Sequence, residues 1–318
     1  MSIEEQHDPE CSRVEAESLA LVIRGKPKDL GGFEVRRVLP AIERRNVGPF
    51  VFFDEMGPAD FAAGAGIDVR PHPHIGLATL TYLFEGEILH QDSVGSHQVI
   101  RPGDVNWMVA GSGIVHSERT PAEARGRARR LHGLQTWLAL PHAYEETSPR
   151  FEHHPRAKLP VIELPGARLH VLAGTACGAR APTGTFDATL YAHVELEADA
   201  TFTIDTEHPE RAVYVVSGEV EVDGHRFAPG TMLVLAPDRE AQLHATCRSD
   251  VMLVGGASLD GPRHLVWNFV SSSRERLEQA KGAWIEDRFP KVPGDADERI
   301  PLPDHLAPTG SLGGGFKP

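Results

Sequence analysis

An internal repeat constrains the fold of this 318-residue chain more than any other feature. Tyr82-Leu-Phe-Glu-Gly-Glu-Ile88 is echoed by Tyr214-Val-Val-Ser-Gly-Glu-Val220, in each copy an extended run, a glycine turn and a second extended run. Both copies then reach a Pro-Gly turn, at Pro102-Gly103 and Pro229-Gly230. The runs between turns are short, alternating or β-branched, as in Leu77-Ala-Thr-Leu-Thr-Tyr-Leu-Phe84, and 25 prolines and 31 glycines punctuate them. That is the punctuation of an all-β barrel or sandwich. The economical architecture is two similar barrels in tandem.

Strand patterning lapses between Pro141 and Pro165, so a first barrel is expected over 20–145 and a second over 160–260. The remainder, 261–318, is expected to hold a short helix and an extended arm. The helix is predicted from Arg274 to Trp284, with Ser272 and Glu275 at capping-box spacing. From about Pro290 the chain is rich in proline, glycine and charge, ending in a loose Gly313-Gly-Gly terminus.

Bulk properties exclude several function classes. Hydrophobic residues at 41% and charged residues at 24% fit a globular domain in water. No apolar run approaches the ~18 residues of a spanning helix, and the polar, acidic start lacks a secretion signal. No membrane association and a cytoplasmic location are the expectations. A net charge of −13 argues against direct nucleic-acid binding, which needs a basic surface. The basic run Arg125-Gly-Arg-Ala-Arg-Arg130 is expected to be a solvated loop or a strand's polar face. Cys11, Cys177 and Cys247 are far apart and odd in number, as expected of reduced structural thiols.

The chemistry lies in two pairs. His72-Pro-His74 follows Gly66-Ile-Asp-Val-Arg-Pro, and residues two apart on a strand share a face. His116-Ser-Glu118 repeats the spacing after Gly111-Ser-Gly-Ile-Val. Three imidazoles and a carboxylate make a donor set for one divalent transition metal. It suits Fe(II), with Mn, Ni, Cu, Co or Zn chemically possible, and an octahedral ion would keep open positions. Carrying the His72/His74 parity forward places Gly76, Ala78, Leu80, Tyr82 and Phe84 inward, a small or apolar lining. Tyr82, Phe84, Trp107 and Met108 are expected to fill the barrel. His90 and His97 flank the Gln91-Asp92-Ser93-Val94-Gly95 turn and are expected to face solvent, with His132, His153 and His154 in loops or on the surface. Asp54 and Glu55, on the Phe52-Phe-Asp-Glu-Met56 strand, are expected either to approach the pocket or to take a turn-capping or surface role.

These motifs resemble the two conserved motifs of the cupin superfamily. More narrowly, four stretches resemble the pirin family: Gly48-Pro-Phe-Val-Phe-Phe-Asp-Glu-Met-Gly-Pro58, His72-Pro-His-Ile-Gly76, Pro102-Gly-Asp-Val-Asn-Trp-Met-Val-Ala-Gly-Ser-Gly-Ile-Val-His-Ser-Glu118 and Asn268-Phe-Val-Ser-Ser-Ser273. The likeness runs from about Val35 to Pro290. It implies two cupin (double-stranded β-helix, jelly-roll) barrels with a metal, commonly iron, in the first. One departure is Ala78, where many pirins have a glutamate; the resemblance implies loss of a contact beside the metal site there. The second copy has Ile204 and Thr206 in place of His72 and His74, and His244 near the place of His116 with no carboxylate after it. The C-terminal barrel is therefore expected to be metal-free and structural.

The resemblance implies two functional readings. One is a quercetin 2,3-dioxygenase-type oxidoreductase acting on a small aromatic or enol substrate and O2, with Glu118 as the catalytic base. The other is a non-enzymatic, iron-binding redox sensor that acts through a protein partner.

Overall fold

The computed structural model describes residues 8–29 and 34–307; the Gly313-Gly-Gly terminus lies outside the described residues. Two large antiparallel sheets dominate. One runs in the order Arg150–His154, Val105–Val109, Leu77–Glu85, Arg129–Ala139, Phe50–Phe61, Glu34–Leu39, Lys26–Asp29. The other repeats that layout as Leu19–Arg24, Thr231–Leu235, Glu210–Ser217, Ser249–Gly256, Thr189–Leu196, Ala167–Ala176, Val161–Leu164, with Glu10–Ser12 added at the Leu19–Arg24 edge. Each large sheet faces a four-stranded one: Asp68–His74, Ile114–Arg119, Ile88–Asp92, His97–Ile100 in the first barrel, and Thr201–Ile204, Ala241–Ala245, Val220–Val222, His225–Phe227 in the second. The two-barrel, all-β expectation holds. Gly86 and Gly218, which close the repeated hairpins, both take the left-handed φ, +85° and +76°, that only glycine adopts freely.

The barrels exchange chain at their borders. The strand Leu19–Arg24 pairs with Thr231–Leu235 of the second barrel, and Arg150–His154 pairs with Val105–Val109 of the first. Limits of 20 and 145 for the first barrel therefore need correcting at both ends. Hydrophobic patterning reveals that a segment is a strand, whereas its partner is chosen by a free sheet edge distant in sequence.

The two large sheets pack face to face. Ala78, Leu80, Tyr82, Trp107, Leu134 and Leu138 from one meet Tyr191, Ala212, Tyr214, Met252 and Val254 from the other in one continuous core. This overturns the parity carried forward from the histidines. Gly76 sits between the strands Asp68–His74 and Leu77–Glu85 at φ +65°, and that turn resets which residues point inward. Ala78, Leu80 and Tyr82 face the other barrel, while Thr79 and Thr81 face the first barrel's interior. Of the four expected barrel fillers, Met108 packs there, beside Leu77, Ile114 and Trp137, whereas Tyr82 and Trp107 belong to the inter-barrel core with Phe84 against it. Ala78 is fully buried in that core, so a glutamate there would point away from Glu118, and the contact inferred as lost is not one this site would make.

The second barrel's interior is hydrocarbon, built from residues such as Phe202, Ile204, Val220, Leu243 and Val251. His244 lies half-buried on a strand whose alternate residues Leu243 and Ala245 are buried, so the likeness of position to His116 does not extend to orientation. The C-terminal helix spans Arg274–Ile285, capped by Ser273, whose hydroxyl accepts from the Arg276 N–H, rather than by Ser272. Ser272 instead binds Glu145 through its backbone N–H and hydroxyl. The arm beyond the helix returns to the first barrel. Ile300 N–H donates to Pro71 O, and Arg119 holds Asp295 through two hydrogen bonds of 2.7 and 2.8 Å. In the basic run, Arg125 pairs with Asp68 and Arg130 reaches Glu85, a local structural use of the charge. The three thiols are free, Cys11 half-buried and the other two exposed, which leaves Cys177 and Cys247 without a packing role. No helix of the described residues is long and apolar enough to cross a membrane.

Candidate metal centre

Adjacent strands of the small sheet bring the histidines together. His116 stands directly opposite His72, and Ile114 opposite His74, so all three imidazoles enter the barrel between the two sheets. Their ligand nitrogens lie within 4.8 Å of one another, and His74 and His116 present Nε2 to Nε2 at 3.1 Å. Burial lowers the pKa of His72 to about 4 and holds those of His74 and His116 well below the ordinary histidine value. The rings are therefore neutral at neutral pH, the form that binds metal.

Neighbouring groups fix the tautomers. His74 Nδ1 lies 2.9 Å from Asn268 O and His72 Nδ1 2.9 Å from Arg70 O. A carbonyl only accepts, so each Nδ1 carries the proton and each Nε2 is a lone pair. His116 is held by a relay. Asp92 accepts from His90 Nε2 at 2.9 Å, which in a neutral ring leaves His90 Nδ1 as acceptor for His116 Nδ1 at 3.4 Å. His116 Nε2 then also offers a lone pair, aimed at that of His74. Two facing lone pairs at this distance repel each other unless a cation lies between or beside them. With bonds of about 2.1 Å, two neighbouring ligand atoms of an octahedral ion stand about 3.0 Å apart. The donor set fits a transition-metal ion.

His90 corrects the sequence expectation. It is buried, stacks on Phe151 at 4.4 Å between ring centres, and serves the site through His116. The available signal was the alternation of His90 and Asp92 with Gln91 on one strand, masked by the turn that follows. His97 is exposed as expected.

Glu118 enters the same interior but stands outside the three-histidine group. It lies two residues beyond His116, past a bulge in the pairing with the Asp68–His74 strand, and accepts from Gln135 Nε2 at 3.2 Å. Gln135 is oriented in turn, since the Thr81 hydroxyl donates to its Oε1 at 2.6 Å. Burial raises the Glu118 pKa to about 7, with the Gln135 hydrogen bond opposing. Trp137 stacks on Phe52 at 3.9 Å and sets its edge against His74 at 5.0 Å. Its indole N–H is buried without a protein acceptor.

Other polar residues also depart from expectation. Asp54 is buried in a paired contact with Arg37, at 2.9 and 2.8 Å. Glu55 is buried at the inter-barrel contact, where it accepts from Tyr214, His132 and Arg36. His132 thus lies on a strand inside the structure rather than in a loop, and His153 and His154 are half-buried on the strand Arg150–His154. The sequence expectation failed for Glu55 and His132 because it weighed polarity without the second barrel, whose Tyr214 meets Glu55, and for Asp54 and His153 because their partners Arg37 and Asn106 lie on neighbouring strands of the first.

Known proteins resemble this chain over most of its length. The family profile described as Pirin matches residues 32–138, and that described as Pirin C-terminal cupin domain matches residues 191–290. A "Pirin-like protein" of Caulobacter vibrioides is 50% identical, covering 89% of this chain and 99% of its own. A crystal structure of quercetin 2,3-dioxygenase from Acinetobacter baumannii superposes with a TM-score of 0.83 at 33% identity, covering 89% of this chain and 94% of that one. A second quercetin 2,3-dioxygenase structure from the same organism gives 0.80 at 25% identity, covering 86% and 98%. Likeness of this degree, over nearly the full length of a chain with three facing imidazoles in one barrel and hydrocarbon in the other, makes it a member of the pirin family of two-barrel cupins.

Proposed function

We propose that this chain is a metal-dependent dioxygenase of the quercetin 2,3-dioxygenase type, opening a flavonol-like ring with O2 and using Fe(II) as its metal. The observation that carries the reading is the pair of opposed His74 and His116 lone pairs in a buried barrel whose next polar group, Glu118, has a pKa of about 7. His72, His74 and His116 would hold the ion, and Glu118, in the same interior but outside that group, would serve as the base. The metal, when bound, would supply a Lewis acid that activates an enol hydroxyl and a redox partner for dioxygen.

The chain's own residues account for proton handling and orientation. A carboxylate with a pKa near neutrality is matched to take a phenolic or enolic proton and return it. Gln135 holds Glu118 Oε1, leaving Oε2 as the proton acceptor. The unpaired indole N–H of Trp137 is a donor available to an oxygen atom of the substrate. Thr79 and Thr81 add hydroxyls to the interior, and Phe52, Leu77, Met108 and Trp137 supply the apolar wall that an aromatic ring would contact.

Metal content by elemental analysis, followed by decay of the quercetin absorption band under air and under argon, tests the proposal. Oxygen-dependent decay that is abolished by His72→Ala is the expected result. In Glu118→Gln, retained metal with turnover reduced about 100-fold or more is expected of a lost general base. Absence of decay at full iron occupancy would overturn the enzyme reading and leave the redox-sensing one.

A further inference from the structure

A second cluster of ligand-type side chains lies outside either barrel, at the open end of the contact between the two large sheets. His170 stands directly across from His193, and Glu195 follows His193 by two on the same strand, so the three share one face. Their ligand atoms lie within 4.8 Å of one another. His170 Nε2 is 2.9 Å from Glu195 Oε1, and His193 Nε2 is 3.0 Å from Asp250 Oδ1. The cluster lines a cleft with Tyr82, Phe84 and His132 on the opposite wall. We propose that His170, His193 and Glu195, with Asp250 beside them, form a second metal site at the junction of the barrels, suited to a borderline divalent cation such as Zn(II).

The repeat itself supplies the argument. Tyr82 lies beside Leu134, which lies beside Glu55; in the other sheet Tyr214 lies beside Met252, which lies beside His193. Glu55 and His193 are therefore equivalent positions, and each meets the other barrel's tyrosine: Tyr214 at 2.7 Å and Tyr82 at 3.0 Å. One strand further out, Arg36 opposes Glu55 and His170 opposes His193. In the first copy the chain provides its own cation, with the Arg36 guanidinium 2.6 Å from Glu55. In the second copy that place holds an imidazole, and Glu195 and Asp250 bring two carboxylates. The nearest cation to Glu195 is Arg248 at 3.7 Å, on a side chain 81% exposed, which contributes little. Donors stand where the first copy has an ion pair, and the Arg156 guanidinium, which also borders the cleft, opposes protonation of His170.

The distances suit an ion. Zinc bonds of about 2.0–2.1 Å in a tetrahedral site separate neighbouring ligand atoms by about 3.3–3.4 Å, so the two histidine–carboxylate pairs, now hydrogen-bonded at 2.9 and 3.0 Å, need only open by a few tenths of an ångström. Burial favours the neutral form of His170. Coordination requires the Nε2 proton of each ring to shift to Nδ1. For His193 that proton would then be donated to the Tyr82 oxygen, whose hydroxyl turns from donor to acceptor. Ser217 donates to Asp250 Oδ2 at 2.7 Å, leaving Oδ1 toward His193. Two histidines and two carboxylates with such support are an ordinary zinc set.

Zn(II) titration of chelator-stripped full-length protein by calorimetry tests the site, with Co(II) absorption as a second readout. Wild type is expected to take two equivalents, and His72→Ala/His74→Ala, which disables the barrel site, to keep one. Adding His170→Ala and Glu195→Gln should weaken that remaining equivalent by about 100-fold or more and remove its Co(II) bands. His170→Ala/Glu195→Gln alone should lose one equivalent while keeping the other, which serves should the first-site variant fail to fold. One equivalent in wild type, or a second that survives His170→Ala/Glu195→Gln, would overturn the proposal. The dioxygenase reading stands or falls separately, since quercetin decay depends on His72 and not on this cluster.

Discussion

Burial of Glu118 has a consequence that stability measurements can read. Its folded pKa of about 7 lies above the ordinary 4.5, so in the metal-free protein it favours folding below pH 4.5 and loses that contribution as pH rises through 7. The span corresponds to about 3 kcal/mol. The three site histidines have the opposite sign, with lowered pKa values that withdraw stability as pH falls below about 6.5, and they are common to wild type and Glu118→Gln. Urea unfolding of both metal-free proteins at pH 5 and pH 8 should therefore show the stability difference, wild type minus variant, shrinking or reversing toward pH 8. A difference independent of pH would mean the carboxyl is solvated. His90 makes a second prediction at this scale. His90→Phe keeps the stacking on Phe151 but removes the acceptor for His116 Nδ1, and metal affinity should fall about 10- to 100-fold, measured by competition with a chromophoric chelator. The gathering of His72, His74 and His116 was legible in the sequence because strand spacing encodes it directly. His90 was not, because its role depends on a cross-strand neighbour.

At the scale of elements, Gly76 decides what the Leu77–Glu85 strand does. Strand alternation is reliable within a strand and carries no information across a left-handed turn, which is why the inward face was misassigned for Ala78, Leu80 and Tyr82 while the His72/His74 pair was placed correctly. The turn is held by Gly76 N–H to Gly111 O and Leu140 N–H to Gly76 O, and a Cβ at Gly76 would stand 2.0 Å from Val270 O. Gly76→Ala combines backbone strain with a clash against fixed backbone, and about 2–4 kcal/mol of lost stability is expected. Denaturant unfolding measures it. Loss of metal at a denaturant concentration that leaves far-UV circular dichroism intact would locate the damage at the turn beside the ligands. The contrast between the small sheets has the same local origin. His72, His74, His116 and Glu118 put polar groups inside the first barrel, and Phe202, Ile204 and Leu243 make the second a packed core. That difference was visible in the sequence once the repeat was aligned.

For the whole molecule, the packing predicts one cooperative unit. The inter-barrel core draws fully buried residues from both large sheets, and the Leu19–Arg24 strand ties the N-terminal end to the second barrel. Two barrels were legible from the repeat, but their face-to-face contact was not, since a sheet covered on both faces has no polar side to declare it. The tryptophans allow a direct test. Trp107 and Trp137 belong to the first barrel, and Trp267 and Trp284 pack on it beside Ile75 and Val115, so tryptophan fluorescence reports the first barrel and the segment against it. Met252 is a fully buried second-barrel residue between Tyr214 and His193, and Met252→Ala should cost about 2–5 kcal/mol. If the barrels unfold together, that substitution shifts the fluorescence midpoint as far as the circular-dichroism midpoint. A fluorescence midpoint left unchanged while circular dichroism shows an earlier loss of strand would mean that the two barrels are stable separately and that their shared core contributes contact without coupling.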